Sequence, residues 1–429
     1  MMRRTRFFIV GFVILLTGIA GGLWAPSYYG KTVVADPYDA RPVIYIEPDN
    51  NATRAAANYL ALGISRELGF EPLITTTKED GQQYICILCG TETGTEPESD
   101  GTGLNYTLSI DRTGFSMTVP SQEQCFWAVK AIADRWLQED CGLKNGRLSI
   151  SRYMIKQRLP SLPADDTGEI RILSQNLRNR NDKDGNSIAE RAERFFQLLA
   201  QYQPDIIGTQ ECTFEWLQLL QDRLSDEYAF FGCSREGPGE TDGDWNAIVY
   251  RKDRFTLLDG ETFWLSNTSD EPSSLLNYDG SPRICTWAVL HDNVTGKDFL
   301  FGNTHLHHIG EELGQKIRSR QAEILLRCLR KGNKLEKYPG FLTGDFNGTP
   351  EEPFYPLIAD AYADSRDLAI TDRSEVDYTY QAYGNAEVLC DYCFCSPGTV
   401  TVLEYRILDD RYDGYVSDHY GVLVTAVLN

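Results

Sequence analysis

The apolar positions divide the chain into an N-terminal segment and two longer regions. Residues 7–24 form an uncharged apolar run, which is close to the length that spans a bilayer. Residues 36–158 contain short apolar runs and two stretches of helical periodicity, at 52–68 and 122–137. From residue 169 onward, strand-like runs alternate with a new set of helical patterns, the first of them at residues 188–202. The pattern therefore predicts a terminal segment, a small domain and a larger domain.

The small domain is predicted at residues 36–158, with the element order β-α-β-β-β-α. Its strand-like runs lie at residues 43–46, 84–89, 104–110 and 115–119. The last two are joined by Asp111-Arg112-Thr113-Gly114, a hairpin turn signal. This order resembles the small non-catalytic α/β domain that precedes the barrel in some hexosaminidases and α-glucuronidases. The resemblance implies either a spacer or an accessory domain that contacts carbohydrate.

A polar stretch with two prolines, at residues 159–168, is typical of a linker between domains. Four strand-like runs follow it and end in polar residues, among them Asn176, Glu211, His305 and Asp345. Polar residues that follow buried strands converge at one edge of a sheet, where α/β folds commonly place their sites. The sequence therefore predicts one site built from residues that are distant along the chain.

Three arginines precede the N-terminal apolar run within the first six residues. This charge distribution predicts that the N-terminus stays inside the cell and that the rest of the chain is exported. Residues 1–35 are therefore predicted to be a transmembrane anchor in a bacterial-type cell membrane, with the following domains extracellular. A cleaved signal peptide, with small residues at 33–35, is the alternative.

Six short motifs follow one another in the larger domain: Gln175-Asn176, Gln210-Glu211, Asn303-Thr304-His305-Leu306, Gly344-Asp345-Phe346-Asn347, Asp391-Tyr392 and Ser417-Asp418-His419. In this order they resemble the endonuclease/exonuclease/phosphatase superfamily over residues 168–428. That superfamily includes exonuclease III, deoxyribonuclease I and inositol-polyphosphate 5-phosphatases. The resemblance implies an α+β fold with a four-layer α/β/β/α sandwich at residues 169–429. It also implies a magnesium-dependent phosphoric ester hydrolase.

A metal site is part of what the resemblance implies. Magnesium prefers oxygen ligands and keeps several waters, so one or two carboxylates and a substrate phosphate suffice to hold it. Glu211 is the first expected ligand, Asn176 lies close by and Asp418 assists. Mn²⁺ and Ca²⁺ are the alternative ions. A metal there would polarise the phosphoryl oxygen and stabilise the departing oxygen.

The resemblance also assigns catalytic roles around a water aligned behind phosphorus. Asp345 would orient or deprotonate this water, and Asn347 would hold the charged phosphoryl group. His305 and His419 would donate hydrogen bonds to the non-bridging oxygens, where negative charge must be stabilised. Asp391 would pair with His419 and fix its tautomer and charge.

Four further residues are implied at the substrate: Asn246, Arg283, His307 and His308. For Arg283, a phosphate contact and a structural ion pair compete evenly. Close relatives tend to read His-Leu-Asp-His where residues 305–308 of this chain read His-Leu-His-His. His307 thus replaces a carboxylate, and we expect it to adjust substrate contacts or metal preference.

The eleven cysteines leave the redox state open. Cys86 and Cys89 have the spacing of a zinc-binding pair, and Cys390, Cys393 and Cys395 form a second group. Neither group has a second such pair or a histidine nearby in the sequence. Small buried hydrophobic residues are therefore favoured over a zinc site.

Composition is that of a globular protein, with 42% hydrophobic and 24% charged residues. The formal net charge of -21 disfavours nucleic acid as a partner, because duplex binding draws most of its affinity from clustered Lys and Arg. The charge instead favours a small or membrane-presented phosphoester.

Three classes of function are compatible with these features. An extracellular phosphodiesterase or phosphatase would act on a small molecule, a sugar phosphate or a lipid headgroup. An exported nuclease would need a basic surface, whereas the loop at residues 235–244 carries four acidic side chains. A non-catalytic cell-surface binding module has no need to keep Glu211, Asp345, Asn347 and His419. We therefore expect an enzyme whose substrate is set by its loops.

Overall fold

The computed structural model of the chain describes segments from both predicted domains. The described residues are 31–35, 42–79, 82, 84–89, 106–111, 114–137, 143–144, 147–151, 168–276 and 280–429. The apolar run at residues 7–24 and the predicted linker, apart from Gly168, lie outside them. Within the described segments, no helix is both long enough and apolar enough to cross a membrane.

The N-terminal region contains two helices and eight strands in its described part. In chain order these are β1 Lys31–Ala35, β2 Val43–Glu47, α1 Asn51–Leu68, β3 Leu73–Thr75, β4 Tyr84–Cys89, β5 Thr107–Asp111, β6 Gly114–Val119, α2 Gln122–Trp136, β7 Leu143–Lys144 and β8 Arg147–Ser151. Five strands form one sheet in the order β3-β2-β4-β6-β5, and three form a second in the order β1-β8-β7. The predicted turn joins an antiparallel pair in which Asp111 lies opposite Gly114. The predicted helices and strands of the small domain are thus present, whereas its resemblance to an accessory domain stays a prediction.

Local sequence signals account for the limits of α1. The side chain of Asn50 accepts a hydrogen bond from the amide of Thr53, and the hydroxyl of Thr53 accepts one from the amide of Asn50. The helix ends at Gly69, whose φ of 74° is a conformation that glycine adopts at little cost. The inward faces of α1 and α2 share one core with the five-stranded sheet, so this region has a core of its own.

The larger region contains the remaining helices and strands. In chain order these are β9 Ile170–Asn176, α3 Ile188–Tyr202, β10 Ile206–Gln210, α4 Phe214–Leu224, β11 Tyr228–Phe231, β12 Ile248–Arg251, β13 Phe255–Trp264, β14 Ile284–Asp292, β15 Lys297–His305, α5 Glu311–Arg330, α6 Lys334–Lys337, β16 Gly340–Asp345, α7 Phe354–Ala359, β17 Ala363–Asp364, α8 Ser365–Leu368, β18 Thr371–Asp372, β19 Asp391–Cys395, β20 Val400–Leu408 and β21 Gly421–Leu428. A short 3₁₀ turn, Lys331–Asn333, separates α5 from α6.

Two mixed sheets face each other across the main core of the larger region. Seven strands follow the order β11-β12-β10-β9-β21-β20-β18, and six follow the order β13-β14-β15-β16-β19-β17. Ile172 on β9 and Phe301 on β15 belong to the same buried cluster between the sheets. Helices α3 and α4 cover the outer face of the first sheet, and α5 and α7 cover that of the second. This arrangement is the expected four-layer α/β/β/α sandwich.

Strand pairing brings the predicted motifs to one edge. Parallel β9 and β10 end together, with Asn176 opposite Gln210. Parallel β15 and β16 also end together, with His305 opposite Asp345, and Asp345 in turn lies opposite Asp391 on β19. Residues that are far apart in the sequence therefore occupy the same level of the sandwich.

A buried polar network holds the two sheets together just below this edge. The amide of Gln210 donates to Asn303 Oδ1 at 2.7 Å, and Asn303 Nδ2 donates to the carbonyl of Thr209 at 2.8 Å. The hydroxyl of Thr343 also donates to Asn303 Oδ1, at 3.2 Å. Because buried amides need partners, Gln210 and Asn303 are best explained as cross-links between the sheets.

The N-terminal region contacts the larger region through α1. Asn51 Nδ2 donates to the carbonyl oxygens of Asp367 at 2.9 Å and Ala369 at 2.8 Å. Arg66 donates to the carbonyl of Asn429 at 3.0 Å, and Ile370 packs against the core of the small domain. These contacts join the two regions at a defined interface.

Candidate active site

The catalytic residues predicted from the sequence meet around Asp345. This carboxylate is 1% exposed at the end of β16. Asn176 Nδ2 donates to its Oδ2 at 2.9 Å, and the amide of Asn347 donates to its Oδ1 at 2.8 Å. Burial raises the pKa of Asp345 to about 7, and the negative charge of Asp391 adds to this effect. A carboxylate with such a pKa is suited to accept a proton near neutral pH.

His419 and Asp391 form a buried pair beside Asp345. His419 Nδ1 lies 2.8 Å from Asp391 Oδ2, and its Nε2 lies 3.9 Å from Asp345 Oδ2. Burial disfavours a charged ring, but the carboxylates of Asp391 and Asp345 outweigh it and hold the pKa of His419 well above its ordinary value. His419 is therefore a cation, and its Nε2–H is the group that a phosphoryl oxygen can contact.

His305 is in a different protonation state from His419. Burial, together with the positive charges of Arg283 and His419, holds the pKa of His305 well below its ordinary value. Asn347 Nδ2 lies 2.8 Å from His305 Nε2 and donates to the carbonyl of Leu306 at 3.1 Å. This second bond orients the Asn347 amide, so Nε2 of His305 is an acceptor. Contrary to the predicted role, His305 donates from Nε2 only if Asn347 moves away.

The three residues expected at the metal lie on the adjoining wall. Glu211 follows β10 with a φ of 54°, and its Oε2 accepts from the amide of Asn179 at 2.9 Å. Asn176 Nδ2 lies 3.3 Å from Glu211 Oε1, while the Asn176 oxygen accepts from the amide of Arg178 at 2.9 Å. Asn176 thus links Glu211 to the Asp345 carboxylate instead of presenting its oxygen beside Glu211.

The donor set of this wall fits a hard divalent cation. Glu211 and Asp418 contribute only oxygen atoms, which magnesium, manganese and calcium prefer. Burial raises the pKa of Asp418, and the nearby charge of Glu211 adds to the shift. Arg178 lies 3.4 Å from Asp418 Oδ2, so a positive charge already stabilises this carboxylate. A cation held by Glu211 and Asp418 would relieve the repulsion between them.

A pocket of about 420 Å³ connects these groups. Its lining includes eight predicted residues, of which six are Glu211, Arg283, His305, Asp345, Asn347 and His419. His308 and Asp418 also line it, and His308 Nδ1 lies 3.0 Å from the Arg283 guanidinium. Asn176 and Asp391 lie behind the pocket wall. Asn176 donates a hydrogen bond to Asp345, and Asp391 pairs with His419.

Two of the residues predicted at the substrate do not line the pocket. Asn246 is 3% exposed, and its amide donates to the carbonyl of Ile284 at 2.8 Å. His307 is 1% exposed, and its backbone amide donates to Gln321 on α5. Both side chains are buried in the fold. His307, which replaces a carboxylate of close relatives, therefore does not line the pocket.

Several lining residues were not identified from the sequence. They are Arg178, Asn179, Arg180, Arg235, Asp244, Ser281, Tyr380, Val388 and Cys390. Arg178, Asn179 and Arg180 come within four residues after the Gln175-Asn176 motif, so their position in the sequence could have indicated a place at the site. Arg235 forms a 2.9 Å ion pair with Asp244 across the loop that carries the acidic residues. Because the loop is mostly acidic, its sequence did not indicate that Arg235 lines the site.

The chain belongs to the endonuclease/exonuclease/phosphatase family, whose model matches residues 173–419. Enzymes of this family hydrolyse phosphoesters and generally depend on a divalent metal. The match covers all six motifs and the strands of both sheets, apart from the first residues of β9 and the whole of β21. The family assignment and the geometry of the pocket therefore agree.

Individual relatives cover the larger region. A mannosyl-6-phosphatase of known structure from Bacteroides thetaiotaomicron is 31% identical, with a TM-score of 0.55, and the match covers 60% of this chain and 100% of that one. Protein angel from Drosophila melanogaster is 27% identical over 219 residues, which are 49% of this chain and 59% of that protein. A probable RNA exonuclease from Saccharomyces cerevisiae is 25% identical over 175 residues, which are 39% of this chain and 34% of that protein. The chain thus spans less than two thirds of the length of each of these two curated relatives.

Proposed function

We propose that the chain is a divalent-metal-dependent phosphoesterase that releases phosphate from a small phosphomonoester, with a sugar phosphate as the substrate class. The observation that carries this proposal is the composition of the pocket. Buried Asp345, Asn347 and His419 provide the groups for hydrolysis, and four arginines surround them. These arginines are Arg178, Arg180, Arg235 and Arg283.

The charges of the pocket favour a terminal phosphate group. The four arginines are balanced by four lining carboxylates, those of Glu211, Asp244, Asp345 and Asp418. A divalent cation would make the pocket net positive, which suits the dianion of a monoester at neutral pH. A volume of about 420 Å³ is in the range of small-molecule sites. The likeness to a mannosyl-6-phosphatase over that protein's full length supports a sugar phosphate.

The protein groups account for the hydrolytic step as follows. Asp345 orients a water molecule and takes its proton. His419, kept protonated by Asp391, donates from Nε2 to a non-bridging oxygen of the phosphoryl group, where charge accumulates. Asn347 supplies an amide N–H at the same place once its Nδ2 leaves His305 Nε2. A magnesium ion bound by Glu211 would supply polarisation of the phosphoryl group and stabilisation of the departing oxygen.

The test uses the purified full chain, freed of metal and then supplied with Mg²⁺, Mn²⁺ or Ca²⁺. Its substrates are mannose 6-phosphate, glucose 6-phosphate, p-nitrophenyl phosphate, bis-p-nitrophenyl phosphate and sphingomyelin. We expect Mg²⁺-dependent release of phosphate from the sugar phosphates. The Asp345→Asn variant should lose about 10²–10⁴-fold in kcat, whereas Asp222→Asn, an exposed change on α4, should lose none. Metal-independent turnover, or an active Asp345→Asn variant, would contradict the proposal.

A nuclease is the second candidate, because the chain also matches a probable RNA exonuclease. The net charge of -21 and the exposed acids Glu240 and Asp242 in the loop beside the pocket disfavour a long polyanion. Single-stranded RNA and DNA are therefore added to the same assay. Faster turnover of these polymers than of sugar phosphates would favour the nuclease.

We also propose that the apolar run at residues 7–24 anchors the chain in the cell membrane and that the catalytic region is extracellular. Lys31–Ala35, the last part of the predicted segment 1–35, form β1 and pair with β8, so the anchor ends before them. The uncharged run at residues 7–24 behind three arginines supports this location. In a bacterial host, protease added to intact cells should remove the catalytic region while the N-terminal segment stays with the membranes. Recovery in the medium would indicate a cleaved signal peptide, and full protection from protease would contradict an extracellular location.

A further inference from the structure

A second group of potential metal ligands lies at the inner side of the pocket. It consists of Asp345, Cys390, Asp391 and His419, and one ligand atom of each lies within 4.8 Å of the others. All four residues are buried. We propose that this group, named here the thiol site, binds a borderline or soft divalent cation of the Zn²⁺ class and that the bound ion inhibits the enzyme.

The distances within the thiol site are close to those of a zinc centre. With one ligand atom taken from each residue, all four atoms lie within 4.8 Å of one another, and Cys390 Sγ lies 3.5 Å from Asp391 Oδ2. The His419 ring offers either Nδ1, 2.8 Å from Asp391 Oδ2, or Nε2, 3.9 Å from Asp345 Oδ2. Zinc bonds of about 2.0–2.3 Å place the ligands of a tetrahedron roughly 3.3–3.8 Å apart. Side-chain shifts of about 1 Å therefore convert this arrangement into a four-ligand centre.

An unsatisfied ligand atom independently indicates a cation at this place. Asp391 is 1% exposed, and its Oδ1 has no hydrogen-bond partner among the described residues. A buried carboxylate oxygen without a donor is unfavourable, because it has lost water and gained nothing in return. A cation coordinated by this oxygen would compensate for the loss.

The ligand types distinguish the thiol site from the wall that holds Glu211. The Glu211 wall provides oxygen atoms, which suit magnesium, whereas Cys390 and His419 add sulfur and nitrogen, which favour zinc. The two sites therefore select different ions, and Zn²⁺ can occupy the thiol site while Mg²⁺ remains in place.

Occupation of the thiol site would remove groups that hydrolysis requires. The ion would bond to a ring nitrogen of His419 and to Asp345, and it would displace the thiol proton of Cys390 and a ring proton of His419 into solvent. His419 then has no charge to offer a phosphoryl oxygen, and Asp345 cannot accept a proton. Inhibition rests on the proposed phosphoesterase function, whereas metal binding itself does not.

The inhibition test titrates Zn²⁺ into the full chain at a fixed, saturating Mg²⁺ concentration. Each protein is compared with itself without zinc, so that differences in basal activity cancel. Wild type should be inhibited, and Cys390→Ser and Cys390→Ala should need at least about tenfold more zinc for the same inhibition. Cys233→Ser, a half-buried thiol away from the pocket, is the matched control and should behave as wild type. Equal inhibition of all four proteins, or none of wild type, would overturn the proposal.

Binding is tested separately with Co²⁺, whose thiolate complexes absorb in the near ultraviolet. Wild type and Cys233→Ser should show the sulfur-to-cobalt band, and Cys390→Ala should lack it. If no substrate is hydrolysed, the proposed function fails but this band still decides whether the thiol site binds metal. Circular dichroism establishes that each variant is folded, and a band that persists in a folded Cys390→Ala variant would contradict the site.

Discussion

His419 and His305 line the same pocket but differ in charge because their neighbours differ. His419 has two carboxylates within 4 Å, those of Asp391 and Asp345. His305 has only Asp345 Oδ2 at 3.4 Å, accepts from the amide of Asn347, and lies near other cations. A site with one charged and one neutral imidazole can hold a phosphoryl oxygen without placing two like charges together. The single cationic histidine depends on Asp391.

Asp391→Asn should therefore impair catalysis much more than substrate binding. Loss of the carboxylate removes the charge that raises the pKa of His419, so the ring loses its proton at lower pH. We expect kcat to fall about 10²–10⁴-fold with a small change in KM, and the alkaline limb of the pH profile to move to lower pH.

The matched control for this change is Asp298→Asn. Asp298 pairs with His291 at 2.6 Å on the opposite, exposed part of the six-stranded sheet. Steady-state kinetics with p-nitrophenyl phosphate from pH 5 to pH 10 distinguish the two positions. Similar losses in both variants would mean that the Asp391–His419 pair has no special role in catalysis.

The motifs and the residues beside them identified eight of the seventeen residues that line the pocket, because polar residues after buried strands emerge at the sheet edge. Side-chain direction was not predictable in the same way. Asn246 and His307 belong to recognisable motifs but are directed into the fold. Cys390 has no histidine near it in the sequence and meets His419 only through the packing of β19 against the segment before β21.

At the level of elements, helical periodicity was the most informative signal. The pattern at residues 188–202 coincides with α3, where Ser187 and Glu190 form a capping box before a strongly one-sided apolar face. The conformation of the strand ends was not predictable. Glu211 and Asn347 have φ values of 54° and 52°, an unusual backbone that tertiary contacts impose on both site residues.

The short helix α8 provides a test of stability. Asp364 precedes this helix and accepts hydrogen bonds from the amide of Arg366 and the hydroxyl of Tyr355, both at 2.9 Å. Burial raises the pKa of Asp364 to about 6, so the folded chain binds a proton there more readily than the unfolded chain does. The ionised carboxylate therefore destabilises the fold above pH 6, and this effect fades as pH falls towards 3.8.

Asp364→Asn should accordingly stabilise the protein at neutral pH. The asparagine oxygen can cap Arg366, and its amide can donate to Tyr355, so both contacts are kept. We expect a gain of about 1–3 kcal/mol in the free energy of unfolding at pH 7.5 that shrinks as the pH is lowered to 4. Urea unfolding of the variant and of wild type at both pH values measures this difference in the free energy of unfolding. A variant less stable than wild type at pH 7.5 would show that the cap needs the carboxylate.

In the whole molecule, the small domain and the pocket lie at opposite ends of the seven-stranded sheet. The pocket groups follow the end of β9 at Asn176. Asn429 contacts Arg66 of the small domain and follows β21, whose last residues pair with the beginning of β9. The small domain therefore contacts the sandwich without contributing any residue to the lining of the pocket in the described structure.

Loss of the contact made by Asn51 should loosen the two regions without affecting hydrolysis. Asn51→Ala removes two hydrogen bonds, worth roughly 1–3 kcal/mol together, to Asp367 in α8 and to Ala369 directly after that helix. Hydrogen exchange should become faster at residues 367–370, and the thermal transition should move to lower temperature, while kcat/KM stays at the wild-type value. Asn58→Ala, on the same helix, is the control. A fall in kcat/KM with Asn51→Ala alone would mean that the small domain communicates with the pocket through this interface.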